Sequence, residues 1–443
     1  MLLLLTGLLA ACSPADSPVI VTTAPAVAAP DTPTRAPDSV AIAADVTATG
    51  IPLRGDPAAA GLDPDAMDAL LWRAWESRSD ALLIARGDTI LVRWTSDPGG
   101  EPRPIETMSV TKSIVSLGVG MLIDEGAITS LDQPVSTWFP QWADRDITLR
   151  QLLDHTSGLD PSPTGEIYAS EDLLRFALTS EQVSAPGEAW TYNNNGANLA
   201  AAVASAAAGR PLDAYLDERL FLPMGLGVKR WSRDRAGNTH GMSGLKLSAD
   251  DLLAVGRLML REGRWGDEQL VPADWIAASV TPTDASDGLY GLQWWTVNER
   301  GPCVISDEVL GAWRDAQVSE DFIQALEPLK DLDLGDGFHD AVRQALGGTD
   351  EAMERWHANT WRRGLPDCRR TLTPVGYRAN GWLGQHLVVL PEHDLVAVRQ
   401  RVATKHHSRF GADNTDTFKD FPERVLALVK PPDSSDRSDR SDH

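Results

Sequence analysis

Ala81-Leu82-Leu83-Ile84-Ala85, then Arg86-Gly87-Asp88, then Thr89-Ile90-Leu91-Val92-Arg93-Trp94 reads as two β-rich runs joined by a short turn, a hairpin. A second hairpin sits near the other end, with Gln385 to Leu390, a Pro391-Glu392-His393-Asp394 turn, and Leu395 to Arg401. Between them the apolar spacing turns helical over Lys112 to Glu125, Leu149 to Leu153, Ala197 to Ala208, Asp213 to Leu220 and Ala249 to Glu262. Outside them, Asp63 to Ser77 reads as a helix with Asp63 as its cap and Pro64 at the first helical position, where a missing N–H costs nothing. Pro422 to Val429 reads as a closing helix. Sheet elements at both ends with helices between them predict an α+β fold: an antiparallel β-sheet flanked by helices, with an inserted all-helical subdomain at about 113–240.

The folded domain is expected at 51–430 of the 443 residues. Met1 to Ala11 is almost purely apolar and too short to span a bilayer as a helix, about the length of a signal-peptide core. Leu9-Ala10-Ala11-Cys12 resembles a bacterial lipobox. Residues 1–12 are thus expected to be a lipoprotein-type signal segment, with Cys12 the lipidated first residue of an exported protein held on the periplasmic face of a bacterial membrane. Residues 13–50, rich in Pro, Ala and Thr, read as an extended linker, and 431–443, repeating Ser, Asp and Arg, as a disordered tail. Forty basic against sixty-three acidic residues give a net charge of −23, which argues against nucleic acid as a partner. Three cysteines without a Cys-x-x-Cys pair or a His-Glu-x-x-His run give no support for a metal site, and no cofactor is expected. Nothing in the sequence indicates the oligomeric state.

Acidic helical segments at about 300–370 interrupt the pattern and are bracketed by Cys303 and Cys368. In an exported protein disulfides persist, so these two are expected to be bonded, closing a loop worth about 4 kcal/mol in the chain-entropy model. Two buried thiols are the alternative. The segment is also expected to cover one side of the functional cleft and restrict substrate size.

Ser109-Val110-Thr111-Lys112 opens the apolar helix running to Leu122. Residues three apart share a helix face, so the Ser109 hydroxyl and the Lys112 amine come within hydrogen-bond reach. A serine hydroxyl is a weak nucleophile until its proton is taken, and a buried lysine held neutral takes it. The same spacing in Ser243-Gly244-Leu245-Lys246 lacks a following apolar helix, and Ser248-Ala249-Asp250-Asp251 there reads as a cap.

Further along come Tyr192-Asn193-Asn194, the one Tyr-x-Asn in the chain, and Trp382-Leu383-Gly384 within Asn380-Gly381-Trp382-Leu383-Gly384-Gln385. In this order the three elements resemble the serine β-lactamase and penicillin-binding-protein superfamily, specifically its class C-like branch with its esterases, D-stereospecific peptidases and amide hydrolases. The third element departs from Lys-Thr-Gly, and tryptophan in its first place resembles the esterase and oligoamide-hydrolase members. The stretches 147–159, 220–226 and 290–295 are similar to the same branch, so the resemblance runs from about 55 to 430 with only 300–370 unmatched.

The resemblance implies an acylated nucleophile at Ser109, its general base at Lys112, and a proton shuttle at Tyr192, whose phenol nearby Lys112 would lower. It implies that Asn194, Trp382, Gly384 and Gln385 bind substrate, with the Ser109 and Gln385 N–H groups forming an oxyanion hole. It makes His155 structural, and strand alternation turns His386 off the site face. The expected substrate is a small ester or amide. The alternatives are a D-Ala-D-Ala-type peptidase or β-lactamase, disfavoured because Trp382 replaces a cation that would pair with a carboxylate, and a non-catalytic penicillin-binding-like module. No Gly-x-Ser-x-Gly elbow exists to support an α/β-hydrolase.

Overall fold

A computed structural model of the chain describes residues 50–96, 103–227, 230–403 and 417–429. The expectations for the signal segment and Cys12, for the linker up to residue 49 and for the tail 431–443 lie outside the described residues. The fold is α+β, built on a six-stranded antiparallel sheet. Its strands are β1 (Ala81–Arg86), β2 (Thr89–Thr95), β3 (Trp295–Val304), β4 (Arg369–Gly381), β5 (Gln385–Leu390) and β6 (Leu395–Gln400), in the spatial order β2-β1-β6-β5-β4-β3. The two hairpins read from the sequence therefore meet at the centre, with β1 paired to β6 from Ala81 opposite Gln400 to Arg86 opposite Leu395.

Both faces of the sheet are buried, which is why β5 and β6 carry consecutive apolar residues at 387–390 and 395–398. On one face Leu83, Leu387, Val389, Val396 and Val398 join the main core with α2 (Val110–Asp124), α3 (Asn194–Ala208) and α4 (Ala249–Leu260). On the other, Leu82, Ile84, Val388, Leu390 and Ala397 pack against α1 (Pro64–Glu76) and α5 (Phe421–Ala427). Asp63 caps α1, its carboxylate accepting from the N–H groups of Asp65 and Ala66. In α2 every residue from Val110 to Leu122 is buried, so this is the central helix rather than an amphipathic surface one.

The helices between β2 and β3 follow the expected pattern with three differences. Thr164–Ala169, Leu173–Leu178 and Ala273–Val280 are helices the apolar spacing did not announce. The stretch expected as one helix from Asp213 to Leu220 is α-helical over Leu212–Leu216 and widens to a π-turn over Asp217–Phe221. α3 begins at Asn194, three residues before the expected Ala197, because the Asn193 side chain caps it by accepting from the Gly196 N–H.

β3 and β4 form a long hairpin, with Trp295 opposite Arg378 at one end and Cys303 opposite Arg370 at the other. Cys303 and Cys368 are joined there as a disulfide, their Cα atoms 5.4 Å apart. Beyond it the helices Asp307–Asp315, Glu320–Leu326, Phe338–Ala345 and Asp350–Asn359 build a separate core around Trp313, Phe322, Phe338 and Trp356. Its root lies at the Cys303 end of the hairpin, and most of its large apolar side chains pack in that separate core, while Leu332 and Trp361 stay exposed.

Candidate active site

Ser109 stands immediately before α2 with helical backbone angles (φ −68°, ψ −8°), yet its side chain makes no capping hydrogen bond. A serine there would ordinarily serve the helix N-terminus. Instead its Oγ accepts from Lys112 Nζ at 3.1 Å. The residue before it, Met108, has φ 50°, a left-handed conformation that an unbranched non-glycine side chain adopts only when its surroundings impose it.

Lys112 is 1% exposed. Its ammonium has three donors, and three acceptors meet it: Ser109 Oγ, Asn194 Oδ1 at 2.8 Å and the Met242 carbonyl at 2.9 Å. None of the three is a carboxylate, so nothing charged offsets the loss of water. Burial pulls the amine from its ordinary value of 10.5 down to about 7.

Tyr192, Asn193 and Asn194 enter at the start of α3, and each of the following asparagines has its own task. Asn193 caps the helix and donates to the Leu159 carbonyl at 2.7 Å. Asn194 binds Lys112, and its Nδ2 donates to Thr164 Oγ1 at 3.3 Å. Asn195 points away, tying Asp160, Ser162 and Ser180 together. The Tyr192 phenol hydrogen-bonds Ser109, and Lys112 Nζ lies 4.9 Å from the centre of its ring. Burial pushes the phenol up to about 12, the Ser109 bond opposing it. The expected lowering of Tyr192 by Lys112 is thus reversed: desolvation dominates, and Tyr192 is a neutral phenol at physiological pH.

His155 packs beneath this tyrosine, ring centres 4.6 Å apart. Its Nδ1 accepts the Asn193 N–H at 3.2 Å, which leaves Nε2 to carry the proton toward Tyr290 Oη at 3.2 Å. Burial first, and then the Lys112 charge, hold it well below the ordinary histidine value. A neutral imidazole saturated on both nitrogens supports the Tyr192-Asn193 backbone. His386 faces the opposite side of the sheet, stacked on Phe421 at 5.2 Å with Nε2 against the Thr417 carbonyl at 3.3 Å.

The third element closes the site from the sheet. A Cβ on Gly381 would lie 2.6 Å from the Thr107 carbonyl oxygen and 2.8 Å from the Ser109 nitrogen, so only glycine lets β4 come this close to the start of α2. Gln385 is paired directly opposite Gly381. Its side chain is fully buried and spent on the backbone of Arg401, leaving only its main chain for chemistry. Trp382 is 37% exposed at the turn between them. Gly384 has no room for a side chain: a Cβ on it would meet the Thr417 carbonyl oxygen at 2.1 Å and Arg399 Nη1 at 2.5 Å.

Beside Tyr192 stands an aromatic wall that the motifs did not reveal. Trp295 stacks on Tyr192 at 6.1 Å, Tyr290 packs edge-on to Trp295 at 4.6 Å, and Trp190 meets both Tyr290 and Trp295. The Met242 carbonyl was equally hidden, although its neighbour Ser243 opens the second Ser-x-x-Lys. That pair is no catalytic twin: Ser243 Oγ bonds Tyr168 Oη at 2.6 Å, and Lys246 lies in strand Leu245–Leu247 opposite Glu106 and Arg230. Residues three apart on an extended run point to opposite faces, whereas on α2 they meet.

A hydroxyl, an amine that is half neutral near pH 7 and a phenol hydrogen-bonded to that hydroxyl are therefore assembled at one helix terminus. The profile of the beta-lactamase family matches residues 74–417, over three quarters of the chain. A penicillin-binding protein of Bacillus subtilis is 30% identical over 147 residues, 29% of this chain and 32% of that protein. The 6-aminohexanoate-dimer hydrolase of Paenarthrobacter ureafaciens is 26% identical over 268 residues, 52% of this chain and 67% of that protein. The chain thus spans about a third of the length of the first relative and about two thirds of the second. A solved structure from Bacteroides dorei, assigned as a beta-lactamase, shares the fold with a TM-score of 0.55 at 16% identity, covering 83% of this chain and 99% of that one. With the profile matched from before β1 to beyond β6 and Ser109, Lys112, Tyr192 and Asn194 gathered within it, the chain belongs to the beta-lactamase family.

Proposed function

We propose that this protein is a serine hydrolase that turns over small carboxylic esters or amides through an acyl-enzyme on Ser109. The observation that carries this reading is the buried Lys112 amine, lowered to about 7 and 3.1 Å from Ser109 Oγ. Neutral Lys112 takes the Ser109 proton as Oγ attacks the carbonyl carbon, and the resulting oxyanion is met by the N–H groups of Ser109 and Gln385. Tyr192, a phenol bonded to Ser109, passes a proton from Lys112 to the departing alkoxide or amine. Water then attacks the acyl-enzyme by the same route. Trp382 offers an apolar face and one N–H donor where the superfamily resemblance places a cation, which favours an uncharged ester or amide over a carboxylate-bearing peptide or β-lactam. The likeness to a 6-aminohexanoate-dimer hydrolase agrees with amide turnover. Export with a lipid anchor at Cys12 belongs to the same proposal and rests on the sequence of residues 9–12.

The test is a pH profile of kcat/KM for p-nitrophenyl butyrate, with a chromogenic cephalosporin run beside it. Because the free enzyme must hold Lys112 neutral, kcat/KM should rise with pH through an inflection near 7 and stay level to at least pH 9, since Tyr192 does not ionise below about 12. A profile that is flat from pH 5.5 to 9, or that rises only near 10, would exclude Lys112 as the base. Turnover of the cephalosporin alone would replace the ester and amide reading with that of a β-lactamase or D-peptidase.

A further inference from the structure

The turn that presents Gln385 holds a conformation its own residues do not favour. Gly384 N–H donates back to the Gly381 carbonyl at 3.0 Å, closing a four-residue turn over Trp382 and Leu383. Leu383, the third residue of that turn, has φ 68°, and Gly384 follows at φ 74°. The third position of a turn with left-handed backbone belongs to glycine or asparagine, and a leucine stays there only where its surroundings over-determine it.

Arg399 on β6 supplies that constraint. It is fully buried, and its Nη1 donates to both the Leu383 and the Gly384 carbonyls. The other side of the guanidinium is anchored on the end of α1: Nη2 donates to the Ser77 carbonyl at 3.0 Å and Nε to Ser79 Oγ at 2.9 Å. Its Cζ also lies 5.9 Å from the centre of the Phe418 ring. A planar fork with fixed donors thus ties the strained turn to a rigid helix end through two consecutive carbonyls, which a lysine point charge does not reproduce. Gly381, the first residue of the turn, approaches the Ser109 nitrogen so closely that a Cβ would not fit between them, so a shift of the turn changes the spacing between the Ser109 and Gln385 amides.

We propose that Arg399 is a positioning residue that clamps the Leu383-Gly384 turn so that the Gln385 N–H meets the tetrahedral oxyanion. The proposal rests on the acyl-enzyme reading above. It predicts an effect on the transition state that spares the ground state, because an oxyanion donor engages only when charge develops.

The experiment measures, for wild type and Arg399→Lys, kcat/KM for p-nitrophenyl butyrate, the inhibition constant of phenylboronic acid, whose adduct on a serine is tetrahedral, and that of butyrate. In Arg399→Lys, kcat/KM and phenylboronate affinity should fall together by roughly 10- to 100-fold, the cost of a misplaced donor, while butyrate inhibition stays within about twofold. Unchanged phenylboronate affinity, or a parallel loss for both inhibitors, would overturn the proposal. Should Arg399→Lys fail to fold, Ser79→Ala removes the acceptor of Nε and leaves the fork in place. It should lower phenylboronate affinity by roughly three- to tenfold with butyrate unaffected, and no such change would again overturn it. Equal phenylboronate binding by wild type and Ser109→Ala would instead overturn the acyl-enzyme reading itself, and this proposal with it.

Discussion

Ser109→Ala should abolish ester turnover, lowering kcat by about 10⁴-fold or more, while the protein remains folded. Removal of the Oγ deletes the atom that forms the acyl bond, and no other group near Lys112 replaces it: the remaining partners of Nζ are an amide oxygen and a main-chain carbonyl. The structural cost is small because the hydroxyl does not cap α2. The hydrogen bonds to Lys112 and to the Tyr192 phenol disappear, each worth about 1 kcal/mol, so the melting temperature should fall by only a few degrees. Purified Ser109→Ala retaining more than about a hundredth of wild-type kcat would place the chemistry elsewhere, since loss of a nucleophile costs far more than that.

Lys112→Met should be nearly as damaging, losing about 10²- to 10⁴-fold in kcat through the missing general base. Combining it with Ser109→Ala should add little, as residues that act as one unit are strongly non-additive. The substitution also carries a stability signature that distinguishes a buried lysine from an ordinary one. The folded amine sits near 7 and the unfolded one near 10.5, so between these values the unfolded chain binds more protons. Stability therefore rises with pH across that window, by at most about 5 kcal/mol from this group, and the burial cost is fully present below pH 7. Methionine removes the titration, so the difference in unfolding free energy between the variant and wild type should shift steadily against the variant from pH 7 to 10. A difference constant over that range would mean that Lys112 is not lowered.

The elements that could be read from the sequence were those whose interactions are local. The two hairpins carry their own turn residues, and the β1 and β6 runs are apolar because both faces of the central sheet are covered. The juxtaposition of Ser109 and Lys112 follows from helical spacing alone, and Tyr192 stood out with its Asn-rich helix start. What was hidden depends on residues distant in the chain. The Met242 carbonyl reaches Lys112 across 130 positions, and Arg399 reaches Ser77 across 322. Arg399 follows the apolar run 395–398 and precedes Gln400 and Arg401, where a charged residue reads as the solvent-facing end of a strand, and the carbonyls that satisfy it carry no sequence mark. The β3–β4 hairpin escaped because its outer half is largely exposed and broken by Gly301-Pro302, so alternation is weak. The insertion at its end gathers a core of its own, with Trp313 and Trp356 at its centre. The raised pKa of Tyr192 is hidden for a related reason: proximity to Lys112 is visible in a motif, but desolvation is a property of the assembled site.

The central claim is a covalent bond from Ser109 Oγ to the acyl carbon, and intact-protein mass spectrometry after reaction with an aryl phosphonate ester tests it most directly. The account predicts a single phosphonyl adduct on the peptide containing Ser109, absent from Ser109→Ala and forming faster as pH rises through about 7. An adduct that persists in Ser109→Ala, or an active enzyme that takes up none, would contradict it.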